Sequence, residues 1–285
     1  MRRRAYLSGV ALAVLSPIGA VAAAGTAGPP LMSAAQVVEK NIAVRGGLEA
    51  WRNVQAISFS GKMNAGGKQN PELPFWMELK RPHRTRIEIE FAKDKALQVY
   101  DGVNGWRLRP FLGRKEVEAF NAEQLKSASM ESELDGFLVD YVKKGTTVKL
   151  DGLDKVEGRD AYKLELTLKG GAIRHLWIDA ETFLEARLEG VPRRMDGKLR
   201  AVEVYYRDFK AVNGLMVPYV LETVVAGSKR TQKTTIEQVV VNPTLDDSRF
   251  TRASLDASAS QWKYSAATSA PTPGTGESSR TRKLD

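Results

Sequence analysis

The chain has 285 residues, of which 42% are hydrophobic and 27% are charged, a balance typical of globular proteins and too apolar for a disordered one. Cysteine is absent, which excludes disulfides, thiolate metal sites, a cysteine nucleophile and a lipid anchor on cysteine. The formal net charge is +9 at pH 7, but the sequence has no recognisable nucleic-acid-binding module, so we expect no nucleic acid among its partners.

The first 24 residues have the pattern of a cleaved export signal. Three arginines at positions 2–4 precede an apolar stretch at residues 10–21, which is too short to cross a bilayer, and small residues follow at 22–24. The run "RRAYLS" also approximates the twin-arginine pattern, so Sec and twin-arginine export both stay open. We expect a periplasmic protein without a lipid anchor, whose net charge falls from +9 to +6 when the three signal arginines are removed.

A first helical region follows a short spacer. Ser33 and Gln36 have the spacing of a capping box, which predicts the start of an α-helix. Gly46 and Gly47 predict its end, and the residues around Trp51 predict a further short helical turn.

From residue 55 the apolar period changes to two, which predicts antiparallel strands with one apolar and one wet face. The runs "LPFWMEL", "RIEIEF" and "YKLELTL" show this alternation most clearly, and about ten such strands are predicted in all. The stretch "YDGVNGW" at residues 100–106 contains Asp-Gly and Asn-Gly, which favour a hairpin turn rather than a phosphate-binding loop.

One helical insertion interrupts the strands at residues 121–144. Leu125, Leu134, Leu138 and Tyr141 form its apolar stripe, and Gly136 predicts a break between two segments. Strands resume at residue 146 and continue to residue 241, and residues 257–285 form a polar tail that we predict to be disordered.

These elements predict a mainly β (α+β) fold. About ten strands with one apolar face and only two helical regions favour a sheet that curls around that face, with the helices covering it. Such a sheet can enclose a cavity for an apolar ligand, or it can have a fully packed core without a cavity. The sequence leaves both outcomes open.

The ordered set of segments resembles the outer-membrane lipoprotein-sorting proteins, the LolA-like group, over residues 33–252. The resemblance rests on "YDGVNGW", "DGFLVDY", "DKVEGRDAYKLELTL", "WIDAETFLEARLE", "FKAVNGLMVPYVLE" and "NPTLDDSRF" in this order. It implies a curved, incomplete antiparallel β-barrel whose concave apolar face is closed by a helical lid. It also implies a carrier of lipids or of lipoprotein acyl chains, with a transient membrane-protein donor or acceptor.

Within this fold, large apolar residues of the strands are the candidates for the ligand-binding face, and plain core packing is the alternative for each of them. The candidate cavity residues are Phe75, Met77, Ile87, Ile89, Phe91, Leu164, Leu166 and Trp177, and the candidate lid residues are Leu125, Leu134, Leu138 and Tyr141.

No catalytic constellation is recognisable. His83 and His175, the only histidines, fall on separate predicted strands without nearby metal ligands, and no Gly-x-Ser-x-Gly elbow occurs. The carboxylates of Glu131, Glu133 and Asp135 are interpreted as solvated. We therefore predict a monomeric non-enzyme without metal or cofactor. The alternative function is a periplasmic sensor or scaffold of the RseB type that binds a membrane protein.

Overall fold

The structure of the chain is a computed structural model that describes residues 32–64, 72–91, 94–110, 114–195, 197–228 and 231–268. The predicted export signal lies outside the described residues, as do residues 269–285 of the predicted tail. None of the helices in the described part is long and apolar enough to span a membrane.

Fifteen strands are present in the described part of the chain. They are β1 (Ala56–Asn64), β2 (Glu72–Lys80), β3 (Arg84–Phe91), β4 (Asp94–Tyr100), β5 (Gly105–Arg109), β6 (Arg114–Ala119), β7 (Thr147–Val156), β8 (Arg159–Thr167), β9 (Ile173–Asp179), β10 (Glu185–Glu189), β11 (Arg193–Met195), β12 (Lys198–Arg200), β13 (Val202–Val212), β14 (Leu215–Val225) and β15 (Gln232–Val241). The helices are α1 (Ala34–Val44), α2 (Leu48–Arg52), α3 (Ala122–Glu131) and α4 (Arg252–Thr268), and a 3-10 helix covers Asp247–Phe250.

Thirteen strands form one antiparallel sheet in the order β6-β5-β4-β3-β2-β1-β15-β14-β13-β10-β9-β8-β7, and β11 and β12 form a separate hairpin. Pairing of β1 with β15 joins two meanders, and β6 and β7 are the unpaired ends of the sheet. The fold is therefore a curved, incomplete antiparallel barrel with helices, as predicted. The prediction of about ten strands was low because short strands such as β10 and β12 carry too few residues to show alternation.

Helix α1 begins and ends where the sequence predicts. Ser33 and Gln36 form both reciprocal hydrogen bonds of the capping box, at 2.8 Å and 3.3 Å. Gly46 has a φ of +112°, and a Cβ at this position would lie 2.3 Å from the carbonyl oxygen of Gly214 in the β13–β14 turn. Only glycine permits this close approach, which fixes the end of α1 against the sheet.

The face of the sheet that α1 and α2 cover is called the inner face below. Val37 and Val38 of α1 pack there against Leu164 and Leu166 of β8, and all four side chains are buried. Trp51 of α2 packs on the central strands in a second buried cluster with Ile57, Leu79, Leu215 and Val217.

Residues 122–145 connect the two ends of the sheet and are called the roof segment below. Its first part is the predicted helix, α3, but residues 134–145 form successive turns rather than a second helix. Gly136 and Asp140 have φ values of +77° and +50°, which interrupt helical geometry. Leu138 and Val139 are buried in this turn region and attach it to the inner face.

Helix α4 covers the outer face. Leu255 and Phe250 pack against Leu97, Val99 and Leu108 of β4 and β5. The structure differs here from the predicted disorder of residues 257–285, because α4 continues to Thr268. Alanine favours helix, and Leu255 and Ala259 are spaced to meet the sheet on one helical face, which the Ala/Ser-rich composition did not reveal.

The "YDGVNGW" stretch is the predicted hairpin. Tyr100 of β4 pairs with Gly105 of β5, and the four residues between them form the connection. The Asp101 carboxylate accepts hydrogen bonds from the backbone N–H groups of Val103 and Asn104 at 2.8 Å and 2.6 Å. The stretch is therefore a structural turn, and it lies apart from the site described next.

Candidate functional site

A cavity of about 360 Å³ lies between the inner face and the roof segment. Strands from both meanders form its wall, and α2, α3 and residues 134–137 close it. Its apolar lining consists of Trp51, Phe59, Met77, Leu79, Met130, Leu134, Phe137, Leu176, Leu188, Val191, Val204, Val217, Pro218, Leu221 and Ile236. Volume and lining are those of a site for an apolar small molecule.

The register of the sheet brings this wall together. Met77 of β2 lies directly opposite Phe59 of β1, and Leu188 of β10 lies opposite Leu176 of β9 and Val204 of β13. Directly opposed residues of antiparallel strands point to the same face. The wall is therefore a patch of the inner face at its centre, between the part covered by α1 and the strands β3 to β6.

The cavity has one polar region. Arg45 Nη1 lies 3.2 Å from Glu185 Oε1, and the Arg45 guanidinium lies over the Trp51 ring at 4.4 Å. Tyr206 lies beside them, and burial together with the Glu185 carboxylate raises its pKa above the usual tyrosine value. Among the described residues, Arg45 Nε and Glu185 Oε2 have no hydrogen-bond partner. This region can therefore bind a polar atom of a ligand whose remainder is apolar.

Polar contacts attach the roof segment to the rest of the molecule. The buried Asp135 carboxylate accepts hydrogen bonds from Arg81 Nη2, at 2.6 Å, and from the Lys144 ammonium. Arg45 Nη1 donates to the Asp135 carbonyl oxygen at 3.0 Å. Further along, Arg52 of α2 makes a two-pronged ion pair with Asp140, at 2.8 Å and 2.6 Å.

This arrangement corrects the interpretation of Asp135 as a solvated carboxylate, whereas Glu131 is exposed and Glu133 is half-buried. Asp135 is only 2% exposed, because the chain reverses at Gly136 and turns the preceding side chain inward toward Arg81 and Lys144. A helical continuation would have placed it on the polar surface, which is why the sequence pattern was misleading here.

Two of the predicted site residues, Met77 and Leu134, lie on the cavity wall. Phe75, Ile87 and Ile89 lie on the same face through the pairs Phe75–Ile89 and Met77–Ile87, but outside the wall. Phe91 follows Ile89 on that face, and Ile87, Ile89 and Phe91 are half-buried. The last three form a strip on β3 that continues the apolar surface beyond the cavity, and it is called the β3 strip below.

Three predicted cavity residues lie elsewhere. Leu164 and Leu166 are on the inner face but completely buried beneath α1. Trp177 is on the outer face, where Arg187 stacks on its ring at 3.8 Å and Asp154 accepts its indole N–H at 2.8 Å. The run Leu176-Trp177-Ile178 is apolar at every position, so alternation could not decide which residue points inward.

The other predicted lid residues, like these three, lie outside the cavity wall. Leu125 is half-buried on α3 and Leu138 is buried in the core, whereas Tyr141 packs partly buried against the cluster beneath α1. None of these three residues lies on the cavity wall. Leu138 and Tyr141 attach the roof segment to the cluster beneath α1.

Sequence reasoning missed several cavity residues. Val204 and Tyr206 alternate in "VEVYYRDF", so the period-two pattern could have nominated them. Arg45 and Glu185 could not be nominated, since their approach joins the end of α1 to a strand 140 residues further along the chain.

The two histidines lie beside different carboxylates. His83 Nδ1 lies 3.4 Å from Glu133 Oε1, and His175 Nδ1 lies 2.6 Å from Glu189 Oε2. Within the part of the chain that the structure describes, no group of three or more potential ligands could hold a metal ion.

Known structures share this architecture. A LolA superfamily protein from Nitrosomonas europaea superposes with a TM-score of 0.53 at 17% sequence identity, over 79% of this chain and 100% of that one. The chain has a LolA-like fold. A putative outer membrane lipoprotein-sorting protein domain from Vibrio parahaemolyticus has a TM-score of 0.52 at 12% identity, over 77% of this chain and 97% of that one.

The LolA-like fold also occurs in a DUF1329 family protein from Desulfovibrio piger, with a TM-score of 0.51 at 17% identity over 78% of this chain and 98% of that one. No protein-family model matches the sequence, and no curated protein matches it. At these identities the likeness establishes the fold, and the function must be argued from the site.

Proposed function

We propose that this protein is a periplasmic carrier that binds the acyl chain of a lipid or lipoprotein in the inner-face cavity and transfers it toward the outer membrane. The observation that supports this function is the cavity of about 360 Å³, whose wall is largely apolar and whose cover is held by polar contacts of Asp135 as well as by the buried Leu138 and Val139. The part of the cover around Asp135 can move away from the wall when water replaces these polar contacts.

Burial of the chain supplies the binding free energy. Each methylene group that leaves water contributes about 0.8 kcal/mol, so ten of them contribute roughly 8 kcal/mol before the costs of ordering are subtracted. Taken without those costs, this value would correspond to a dissociation constant of about 1 μM, so the net affinity is weaker than that, which suits a carrier that must also release its ligand.

Entry and release require the roof segment to move. Opening would break the contacts of Asp135 with Arg81 and Lys144 and the hydrogen bond from Arg45 to the Asp135 carbonyl. Water or a partner surface can replace each of these contacts. The buried side chains of Leu138 and Val139 stay packed against the inner face, so the roof segment would hinge at these residues. A donor or acceptor protein at the membrane would act on this equilibrium.

The function is tested by placing a charge on the cavity wall. Met77→Glu puts a carboxylate among apolar residues of the wall, whereas Trp76→Glu puts the same group on the neighbouring residue, which is 40% exposed on the outer face. We expect Met77→Glu to weaken binding of a fluorescent fatty acid at least tenfold, because a buried unpaired charge is costly. Trp76→Glu should bind normally.

Equal binding by both variants and the wild type would show that the ligand lies elsewhere. If the wild type binds no lipid probe and instead retains a membrane protein during purification, the sensor or scaffold function would replace the carrier function.

A further inference from the structure

A second pocket, of about 670 Å³, adjoins the cavity. It lies between the roof segment, the β2–β3 turn at residues 81–83 and the β8–β9 turn at residues 168–172. Met130, Glu133 and Phe137 line both the cavity and this pocket, so the two spaces share one wall. Unlike the cavity, the pocket is rich in cations: Arg81, Lys126, Lys143, Lys144 and Lys169.

The three carboxylates of the pocket are already paired with cations. Asp135 is held by Arg81 and Lys144, and Glu133 lies 2.8 Å from Lys144. Asp140 is held by Arg52, and this guanidinium keeps the pKa of the Asp140 carboxyl far below its usual range. Arg81, Lys144 and Arg52 therefore neutralise the three carboxylates of the pocket. The other cations of the pocket have no further carboxylate of the pocket to neutralise them.

Lys126 on α3 and Lys169 in the β8–β9 turn are these surplus cations. Both are exposed, and neither makes an ion pair with a residue that the structure describes. Lys143 adds to the surplus, since its partner Asp140, at 3.1 Å, already has the two-pronged pair with Arg52. Two sides of the pocket thus carry positive charge at its opening.

The pocket also has apolar lining. Leu168 and Ala172 belong to it, together with Met130 and Phe137, which the pocket shares with the cavity. A molecule that occupies both spaces would have one end in the apolar cavity and the other end among the cations of the pocket. This sequence of environments matches an amphiphile whose chain ends in an anionic group.

We propose that the basic pocket binds the anionic head group, a phosphate or a carboxylate, of the amphiphile whose chain occupies the cavity, with Lys126 and Lys169 as the head-group residues. The proposal rests on the proposed carrier function and specifies its ligand class. An anionic lipid is then bound more tightly than a zwitterionic lipid with the same chain, and salt reduces the difference.

Two lysolipids with the same palmitoyl chain test this proposal, one with a phosphoglycerol and one with a phosphocholine head group. Each is titrated below its micelle concentration into the mature protein, with displacement of a fluorescent fatty acid as the readout. We expect the phosphoglycerol lipid to bind about tenfold more tightly at low salt, because each exposed charge contact contributes only a modest factor. Lys126→Glu/Lys169→Glu should abolish this preference, because it weakens binding of the phosphoglycerol lipid far more than binding of the zwitterionic phosphocholine lipid.

The matched control is Lys62→Glu/Lys149→Glu, which changes the net charge equally at two exposed lysines outside the pocket, 51% and 75% exposed in their side chains. It should retain the preference. Equal binding of the two lipids by the wild type, or loss of preference in the control as well, would overturn the head-group site but not the carrier function. Failure of both lipids to bind would overturn both.

Glycerol phosphate and inorganic phosphate distinguish a head-group site from a free-anion site. Neither should compete with the phosphoglycerol lysolipid at comparable concentrations, since both lack the chain that occupies the cavity. Competition at equal concentration would overturn the proposal, because the pocket would then bind the free anion by itself.

Discussion

Two regions of the inner face of the sheet differ in how they are covered: one is tightly packed and the other borders a cavity. Beneath α1, the inner face is filled, and Leu164 and Leu166 are completely buried. Beneath the roof segment, the same face is similarly apolar, but Met77, Leu188 and Leu221 border a cavity. The strand sequences hardly differ. What differs is the covering element, since α1 inserts Val37 and Val38 between the strands' side chains along the filled region. The roof segment packs into the core at Leu138 and Val139, but over the cavity it is held by the ion pairs of Asp135.

A strand pattern therefore identifies an apolar face but not whether that face is packed. Packing depends on the shape of the covering element, and ion pairs at its margin can hold a cover in place over a space. Substitutions in the filled region and in the open region should therefore have different effects.

The largest expected effect is on stability in the filled region. Leu164→Ala should lower the free energy of unfolding by about 3 kcal/mol, because it creates a void in a close-packed cluster. Leu221→Ala, on the cavity wall, should cost only about 1 kcal/mol, since its side chain already borders open space. Urea unfolding of the two variants measures the difference, and equal losses would show that both regions are packed alike.

The next effect concerns the attachment of the roof segment. Asp135→Asn removes the charge that holds Arg81 and Lys144, so we expect a loss of about 2 kcal/mol in stability and about tenfold faster dissociation of a bound fluorescent fatty acid. Stopped-flow dilution measures the dissociation rate.

The control for this variant is Asp247→Asn, which breaks a comparable pair with Lys80 and Arg84 on the outer face. Its side chain is 61% exposed, so the change should cost less than about 1 kcal/mol and leave the dissociation rate unchanged. If both variants released lipid equally fast, the roof segment would not be the gate.

A smaller effect depends on pH. Arg52 lowers the pKa of Asp140, so the ion pair stabilises the fold at neutral pH and its contribution is lost as the pH falls below the usual aspartate value of about 3.9 toward the lowered one. We expect Asp140→Asn to be less stable than the wild type at pH 7 and the difference to shrink below about pH 4. Urea midpoints across this range measure it, and a difference that grows on acidification would contradict the assignment.

The smallest effect is expected on the β3 strip. Phe91→Glu leaves the cavity wall intact but interrupts the apolar surface beyond it. An eighteen-carbon fatty acid should bind a few-fold more weakly to the variant, whereas a ten-carbon one should be unaffected. Equal weakening for both lengths would place Phe91 at the primary site rather than on its extension.

The sequence was sufficient for the fold class and for several element boundaries, because alternation and turn chemistry are local signals. The capping box at Ser33, the glycine stop at Gly46 and the hairpin at Asp101 are all found where these signals predict them. Met77 and Leu134 were also predicted and lie on the cavity wall.

The remainder of the site depends on interactions that one-dimensional patterns do not contain. Trp177 was placed on the wrong face because three successive residues are apolar, and Leu164 was assigned to the cavity because nothing in its strand reveals that α1 covers it. The sequence pattern predicts a surface carboxylate at Asp135, but the turn at Gly136 places this side chain beside Arg81.

Native mass spectrometry of the mature protein, purified from an export-competent host without detergent, tests the central claim most directly. We expect a discrete adduct with the mass of one lipid or acylated peptide, which disappears in Met77→Glu and persists in Trp76→Glu. Bare protein in all three samples, still bare after incubation with native membranes, would contradict the claim that the inner-face cavity carries an acyl chain.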